Sequence, residues 1–325
     1  MHLRMPRLVD IQETQYLMGS LIECRDLIKS YNGIKALDGL SLSINTGASI
    51  GLVGPNGAGK STFFSLLCGF LRATSGALKV MGQTPDASIL KGRIGILPQD
   101  VPFMKGISVQ PQLLLFARLH GFSKYAARQE IERVLELLNV SSLARQFPET
   151  LSFGQRKKVT LAQSLIGNPE LVLLDEPTSG LDPVAANEVR ALIQKLRHER
   201  SFMVSSHNLD EIEDVCDEIV IINKGKLVKH CAITELVERN NYLTLLLNQP
   251  LAESLRQSLT NLPGVLKVEP DHANLQRISI CFRSDNPDEL QFRILELLQQ
   301  NGAGVIELNR GTVFADKVVE LVKGH

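Results

Sequence analysis

The nine residues GPNGAGKST, Gly54–Thr62, constrain the fold of this chain more than any other stretch. They fit the pattern G-x-x-x-x-G-K-[ST]. The apolar run ASIGLVG leads into them, and KSTFFSLLCGF follows with large apolar residues at helical spacing. The order is therefore strand, glycine loop, helix. Gly54, Gly57 and Gly59, with Pro55, Asn56 and Ala58 between them, let the backbone curl so that successive amides converge on phosphate oxygens. Lys60 supplies a point charge at the β- and γ-phosphates, Ser61 is placed to ligate Mg²⁺, and Thr62 continues the first helical turn.

Such a loop needs a buried parallel strand beside it, and ELVLLDEP reads as one, a continuous apolar run with no alternation. Its last residues, Asp175 and Glu176, stand at the C-terminal end of the strand, where α/β proteins place their ligands. Two adjacent carboxylates there divide the work: Asp175 holds the metal, through water, and Glu176 polarises the attacking water as general base. SFMVSSH and DEIVIINKG add two more strands, with the helical PVAANEVRALIQKLRHE before the first. Alternating strands and helices imply an α/β core. Between about residues 93 and 167 the pattern turns helical, as SVQPQLLLFARLHG, YAARQEIERVLELLNV and a helix opening at Ser152. Ser152 followed three places later by Gln155 is a capping box. A helix start is an anion site, yet the bulky Phe153 precedes Gly154 there.

From about residue 241 the character changes again. YLTLLLN, VLKVEPDHANLQRISICFR and GVIELNRG read as strands, with a turn around Asp271. PLAESLRQSLTNL, NPDELQFRILELLQQNG and TVFADKVVELV read as helices, the second with Asn286 as cap and Gly302 as stop. The order βαββαβ predicts a small ferredoxin-like α+β sandwich over residues 241–325. Residues 1–18 read as a loose extension without a signal-peptide core, and Met18 is a second possible start. The chain's 35 basic and 35 acidic residues give a net charge of zero, with no hint of general affinity for nucleic acid. Its five cysteines are scattered, odd in number and never spaced CxxC, which favours reduced thiols in the cytosol. No apolar stretch approaches the ~20 residues needed to span a bilayer, so a membrane role must come through a partner.

With these motifs in this order, residues 19–240 resemble the nucleotide-binding subunit of ATP-binding cassette (ABC) transporters, an α/β P-loop fold with a helical insertion. The resemblance assigns Gly54–Thr62 to the Walker A loop and Asp175 with Glu176 to Walker B. It places LSFGQ (Leu151–Gln155) at the family signature, SGLD (Ser179–Asp182) at the D-loop, and Gln99 at the Q-loop, a Mg²⁺ and water ligand that senses the membrane partner. It implies that His207 is the switch histidine at the γ-phosphate and that Tyr31 stacks on adenine. In the family, the signature of one subunit caps the ATP held by Walker A of a second, so Ser152, Phe153, Gly154, Gln155 and Asp182 would serve the partner copy. Phe153 departs from the commonest pattern, which has glycine. An amide is the same on either residue, and the first helical turn needs only negative φ. Phe153 should therefore point away from nucleotide and pack on the helical insertion.

The resemblance implies an ATPase with ATP and Mg²⁺, peripheral on the cytoplasmic face of the membrane. Its partners would be an integral permease and a second copy of the chain or a paired ABC subunit. A soluble cassette acting on ribosomes usually carries two cassettes in one chain, and a chromosome ATPase needs a long coiled coil between its Walker motifs. The C-terminal extension resembles that of drug, lipid and polysaccharide exporters, with import or lipid trafficking as the other reading.

Overall fold

The computed structural model describes residues 19–99, 103–236, 242–271, 274–284, 286–310 and 314–323. The extension expected over residues 1–18 lies outside them. The chain divides after Cys231 into two compact units.

In the first unit, β1 (Ser20–Tyr31) and β2 (Ile34–Asn45) form an antiparallel hairpin. Asn32 and Gly33 close it with φ of 49° and 85°, the pair of left-handed residues that a two-residue turn matching strand twist requires. β3 (Ser49–Val53) is buried at every position and leads through the glycine loop into α1 (Lys60–Leu67). β4 (Ser75–Val80) returns to β1 and completes a three-stranded sheet of order β2-β1-β4. β5 (Ile94–Leu97) precedes three helices, α2 (Val109–Leu119), α3 (Lys124–Leu137) and α4 (Phe153–Ser164). Then β6 (Leu171–Asp175), α5 (Pro183–Leu196), β7 (Ser201–Ser205), α6 (Leu209–Val215), β8 (Glu218–Asn223) and β9 (Lys226–Ala232) complete the unit.

The second sheet has the order β5-β6-β7-β3-β8-β9, and β5, β6, β7, β3 and β8 pair in parallel. Central strands of such a sheet are covered on both faces, which is why β3, β6 and β7 carry almost no polar side chain before their C-terminal ends. Phe63, Phe64, Leu66 and Leu67 of α1 join Leu171, Leu173, Met203, Val220 and Ile222 in the core. Truncating either phenylalanine to alanine would cost about 3–5 kcal/mol. α6 lies directly on β3: a Cβ on Gly51 would come within 2.3 Å of Ile212 Cγ2. The helical stretch expected from about residue 93 begins later, at Val109. Ile94–Leu97 is a strand paired with β6, so the helices begin later than residue 93. Four residues broken by Gly95 are too short to show either period.

The second unit runs α7 (Ile233–Leu236), β10 (Tyr242–Leu247), α8 (Glu253–Thr260), β11 (Val265–Pro270), β12 (Arg277–Phe282), α9 (Pro287–Gln300), β13 (Val305–Arg310) and α10 (Phe314–Lys323). Its sheet has the order β11-β12-β10-β13 with every neighbour antiparallel, the arrangement produced by two interleaved βαβ units. Leu290, Ile294 and Leu298 recur at four-residue spacing on α9 and bury with Leu255 and Leu259 of α8 against Leu243, Leu245, Ile278 and Ile280. Asn286 caps α9 by accepting from the Glu289 amide at 3.4 Å. Part of the turn around Asp271 lies outside the described residues.

Candidate active site

The glycines of the loop after β3 are required for two different reasons. Gly54 has ordinary φ, but a Cβ there would lie 2.1 Å from the Ile222 carbonyl oxygen on β8. Gly57 and Gly59 have φ of 79° and 108°, the left-handed region that favours glycine, and a Cβ on Gly59 would also lie 2.5 Å from Ala36 O. Gly59 is the N-cap of α1 and supplies no side chain, so the first amides of that helix have no side-chain acceptor. Lys60 Nζ donates to the carbonyls of Gly54 at 2.7 Å and Pro55 at 3.2 Å. Burial pulls its ammonium below the usual lysine range, while the carboxylates of Glu176 and Asp175 act in the opposite direction.

Asp175 ends β6 with its carboxylate buried and held from both sides. Ser61 Oγ donates to Oδ2 at 3.1 Å, and Ser205 Oγ, from the register partner on β7, donates to Oδ1. Glu176 follows in the left-handed conformation, φ 52°, which costs a residue with a side chain about 1–3 kcal/mol. Its amide donates to Ser205 O at 3.0 Å and to Ser205 Oγ at 3.3 Å, bonds that hold this conformation. The Glu176 carboxylate thereby turns toward His207, and Oε2 stands 2.7 Å from His207 Nδ1. Pairing of β6 with β7 thus brings together residues 31 positions apart in sequence.

These groups face one cavity of about 710 Å³, lined by Ala36, Asn56, Gly57, Ala58, Gly59, Lys60, Ser61, Thr62, Gln99, Asp175, Glu176, Ser179 and His207. That volume is within the range of small-molecule sites. Gln99 comes from the end of β5 and is exposed. Tyr31 is not part of the lining: it ends β1 at 43% exposure, with Lys29 Nζ 5.1 Å from its ring centroid.

Ser152, Phe153, Gly154, Gln155 and Asp182 also stand outside it. Ser152 and Gln155 form both arms of the capping box, at 3.2 Å and 2.9 Å. Asp182 caps α5 by accepting from the amides of Val184 and Ala185, each at 3.0 Å. Phe153 does not follow the expectation of packing on the helical insertion. Its half-exposed ring lies over Gly180, where an added Cβ would meet Cε1 at 2.9 Å. Gly180 has φ of 75° and no side chain, which leaves the room that the ring takes. Ser205 was not legible as a site residue. Its signal was only that FMVSSH and LVLLDE both turn polar at the same end of apolar runs.

A family model described as "ABC transporter" matches residues 37–179. The bacitracin transport ATP-binding protein of Bacillus licheniformis is 34% identical over 227 residues, covering 69% of this chain and 73% of that protein. The daunorubicin/doxorubicin resistance ATP-binding protein of Streptomyces peucetius is 30% identical over 309 residues, 94% of this chain and 92% of its own length. The chain belongs to the ATP-binding subunits of ABC transporters. Among solved structures, cbiO1 of Clostridium perfringens, described as part of an ABC transporter complex, superimposes with a TM-score of 0.61 at 26% identity, covering 75% of this ABC subunit and 96% of that chain. ABC subunits of this kind bind and hydrolyse ATP in support of transport, dimerise and work with membrane permeases. No helix among the described residues of this ABC subunit is long and apolar enough to cross a membrane.

Proposed function

We propose that two copies of this subunit close head to tail on two molecules of Mg·ATP, and that this clamp drives a separate membrane-spanning permease in export. The observation that carries the reading is the pairing of Ser61 with Asp175 and of Glu176 with His207 on the wall of one cavity. Glu176 takes a proton from the attacking water, and His207 fixes its carboxylate and then meets the γ-phosphate with its other ring nitrogen. Lys60 exchanges the carbonyls of its own loop for the β- and γ-phosphate oxygens. Tyr31 stacks on adenine, a contact worth about 1–3 kcal/mol.

The donors at Ser61, Asp175 and Gln99 are hard oxygens, which fit Mg²⁺. Among the described residues no group of three or more His, Cys, Asp or Glu side chains could hold a metal. That suits an ion held by few protein ligands and completed by phosphate and water. When bound, Mg²⁺ neutralises charge on the phosphate oxygens. Ser152, Phe153, Gly154, Gln155 and Asp182 stand outside the cavity of their own copy, which supports their serving the partner's nucleotide.

Export is supported by the drug-resistance relative, whose match spans 94% of the chain and so takes in the C-terminal unit as well as the cassette. The subunit would sit on the cytoplasmic face, bound to its permease, with no direct role in nucleic-acid binding. Solution scattering of the Glu176→Gln protein saturated with Mg·ATP should show a dimer, and a monomer under those conditions would overturn the clamp. Reconstituted with the integral subunit that co-purifies from membranes, the protein should move cargo into vesicles that have ATP outside. Movement out of such vesicles would reverse the assigned direction.

A further inference from the structure

Ser205 closes β7 and is fully buried, although Phe202, Met203 and Val204 before it are apolar. Register places it between two strands of the site. It stands opposite Asp175 on β6 and opposite Leu52 on β3, the strand that leads into the glycine loop. Its hydroxyl accepts from the Glu176 amide at 3.3 Å and donates to Asp175 Oδ1. A carboxylate only accepts and an amide N–H only donates, so the group between them must do both. Serine does this with one atom, and both capacities of that atom are used inside the core. The other carboxylate oxygen, Oδ2, accepts from Ser61 at 3.1 Å, and Ser61 is one of the donors proposed for Mg²⁺. The bond to Oδ1 thus comes from a residue outside that donor set.

We propose that Ser205 is a positioning residue whose hydroxyl fixes the plane of the Asp175 carboxylate, so that Oδ2 is aimed at the metal site beside Ser61 before the ion arrives. With one donor on each oxygen, the carboxylate cannot turn about its Cβ–Cγ bond without breaking a hydrogen bond. Without the Ser205 hydroxyl it keeps only the bond to Ser61 and can swing about it. Partners of this kind, bonded to a carboxylate that serves a metal, typically matter about 10–100-fold in metal affinity or activity. The Glu176 amide is less dependent on the hydroxyl: it also donates to Ser205 O at 3.0 Å, a bond that any residue at this position supplies. Ser205→Ala therefore leaves that amide with an acceptor and acts through Asp175.

The inference rests on the metal role given to Asp175, and Asp175→Asn tests that role separately. The full chain is held in excess over a non-hydrolysable ATP analogue, and Mn²⁺ is titrated in as a probe for Mg²⁺. Free Mn²⁺ is read by electron paramagnetic resonance. Ser205→Ala should weaken Mn²⁺ binding about 10-fold. Its affinity for the analogue in EDTA, measured by equilibrium dialysis, should match wild type. Ser205→Thr keeps the hydroxyl and should bind Mn²⁺ as the wild type does. A merely structural hydroxyl would lower the melting temperature of the alanine protein and leave Mn²⁺ binding unmoved, and that result would overturn the proposal. So would a threonine protein that melts like wild type yet binds Mn²⁺ as weakly as the alanine one. Should the alanine protein fail to fold, Ser205→Cys, a weak donor, takes its place under the same criterion. Asp175→Asn should weaken Mn²⁺ binding at least as much as Ser205→Ala. Wild-type Mn²⁺ binding in Asp175→Asn would instead remove the site reading on which the inference depends.

Discussion

Two helix N-termini in the first unit, both proposed above to meet phosphate, are finished in opposite ways. α1 begins at Gly59, which has no side chain to cap it, so its first amides are offered outward to whatever the loop encloses. α4 begins at Ser152 with its capping box closed, so the Gln155 amide and the Ser152 amide are already satisfied by the chain itself. In the proposed function, phosphate would satisfy the first amides that the α1 end leaves without a side-chain cap. The α4 end is capped by its own side chains and, in the proposed clamp, would offer its remaining first-turn amides to the partner's nucleotide. In the proposed clamp, a site that holds nucleotide in one copy and a site that engages only on closure would need those two different constructions.

The comparison breaks most sharply if each end is blocked in turn. Gly54→Ala forces a Cβ against the backbone of β8 at 2.1 Å, so nucleotide binding itself should disappear from equilibrium dialysis. Ser152→Arg should leave that binding intact and abolish ATP-driven dimerisation in scattering. If Ser152→Arg also loses nucleotide binding to the monomer, the division of labour between the two ends is wrong. Next in size is Glu176→Gln, which should slow hydrolysis by roughly 10²–10⁴-fold while ATP affinity holds. Turnover near wild type would take Glu176 out of the base role. A smaller effect follows from Ser152→Ala: losing the cap costs about 1 kcal/mol. For a unit of this size that lowers the melting temperature by about 2–4 °C in calorimetry.

The two ends also differ in how far the sequence discloses them. The α1 end is largely local: its left-handed φ values and its lysine all fall within Gly54–Thr62, whereas the close approaches that require Gly54 and Gly59 are to Ile222 and Ala36. Buried strands next to it are legible for the same reason, since β3, β6 and β7 are apolar along nearly their whole length. β1 and β2 are less so, because their ladder has register shifts at four places and its bulges break the alternation. Contacts made through strand register were hidden altogether. Ser205 meets Asp175 and Glu176 only because β7 lies beside β6 in a particular phase. Helix α9 of the second unit shows the other limit: its Asn286 cap was readable, but not which strands it covers.

Phe153 gives the smallest predicted effect and the most informative one. At the α4 end its amide is what a phosphate would meet, while its ring lies against Gly180 of the same chain. Phe153→Gly keeps the amide and removes the ring, so hydrolysis should stay within about 2–3-fold of wild type. The folded state should lose no more than about 1 kcal/mol, the usual cost of a glycine in a helix. A loss of turnover well beyond that range would mean that the ring holds Ser179–Asp182 in the position the partner's nucleotide requires. Gly180→Ala decides between the two, because it pushes on the ring from the other side. If the ring matters only as filler, the alanine costs stability through its φ of 75° and leaves turnover per folded molecule unchanged. If the ring steers the segment, removing it by Phe153→Gly in the Gly180→Ala background should change turnover again. The double variant would then depart from the sum of the two single changes.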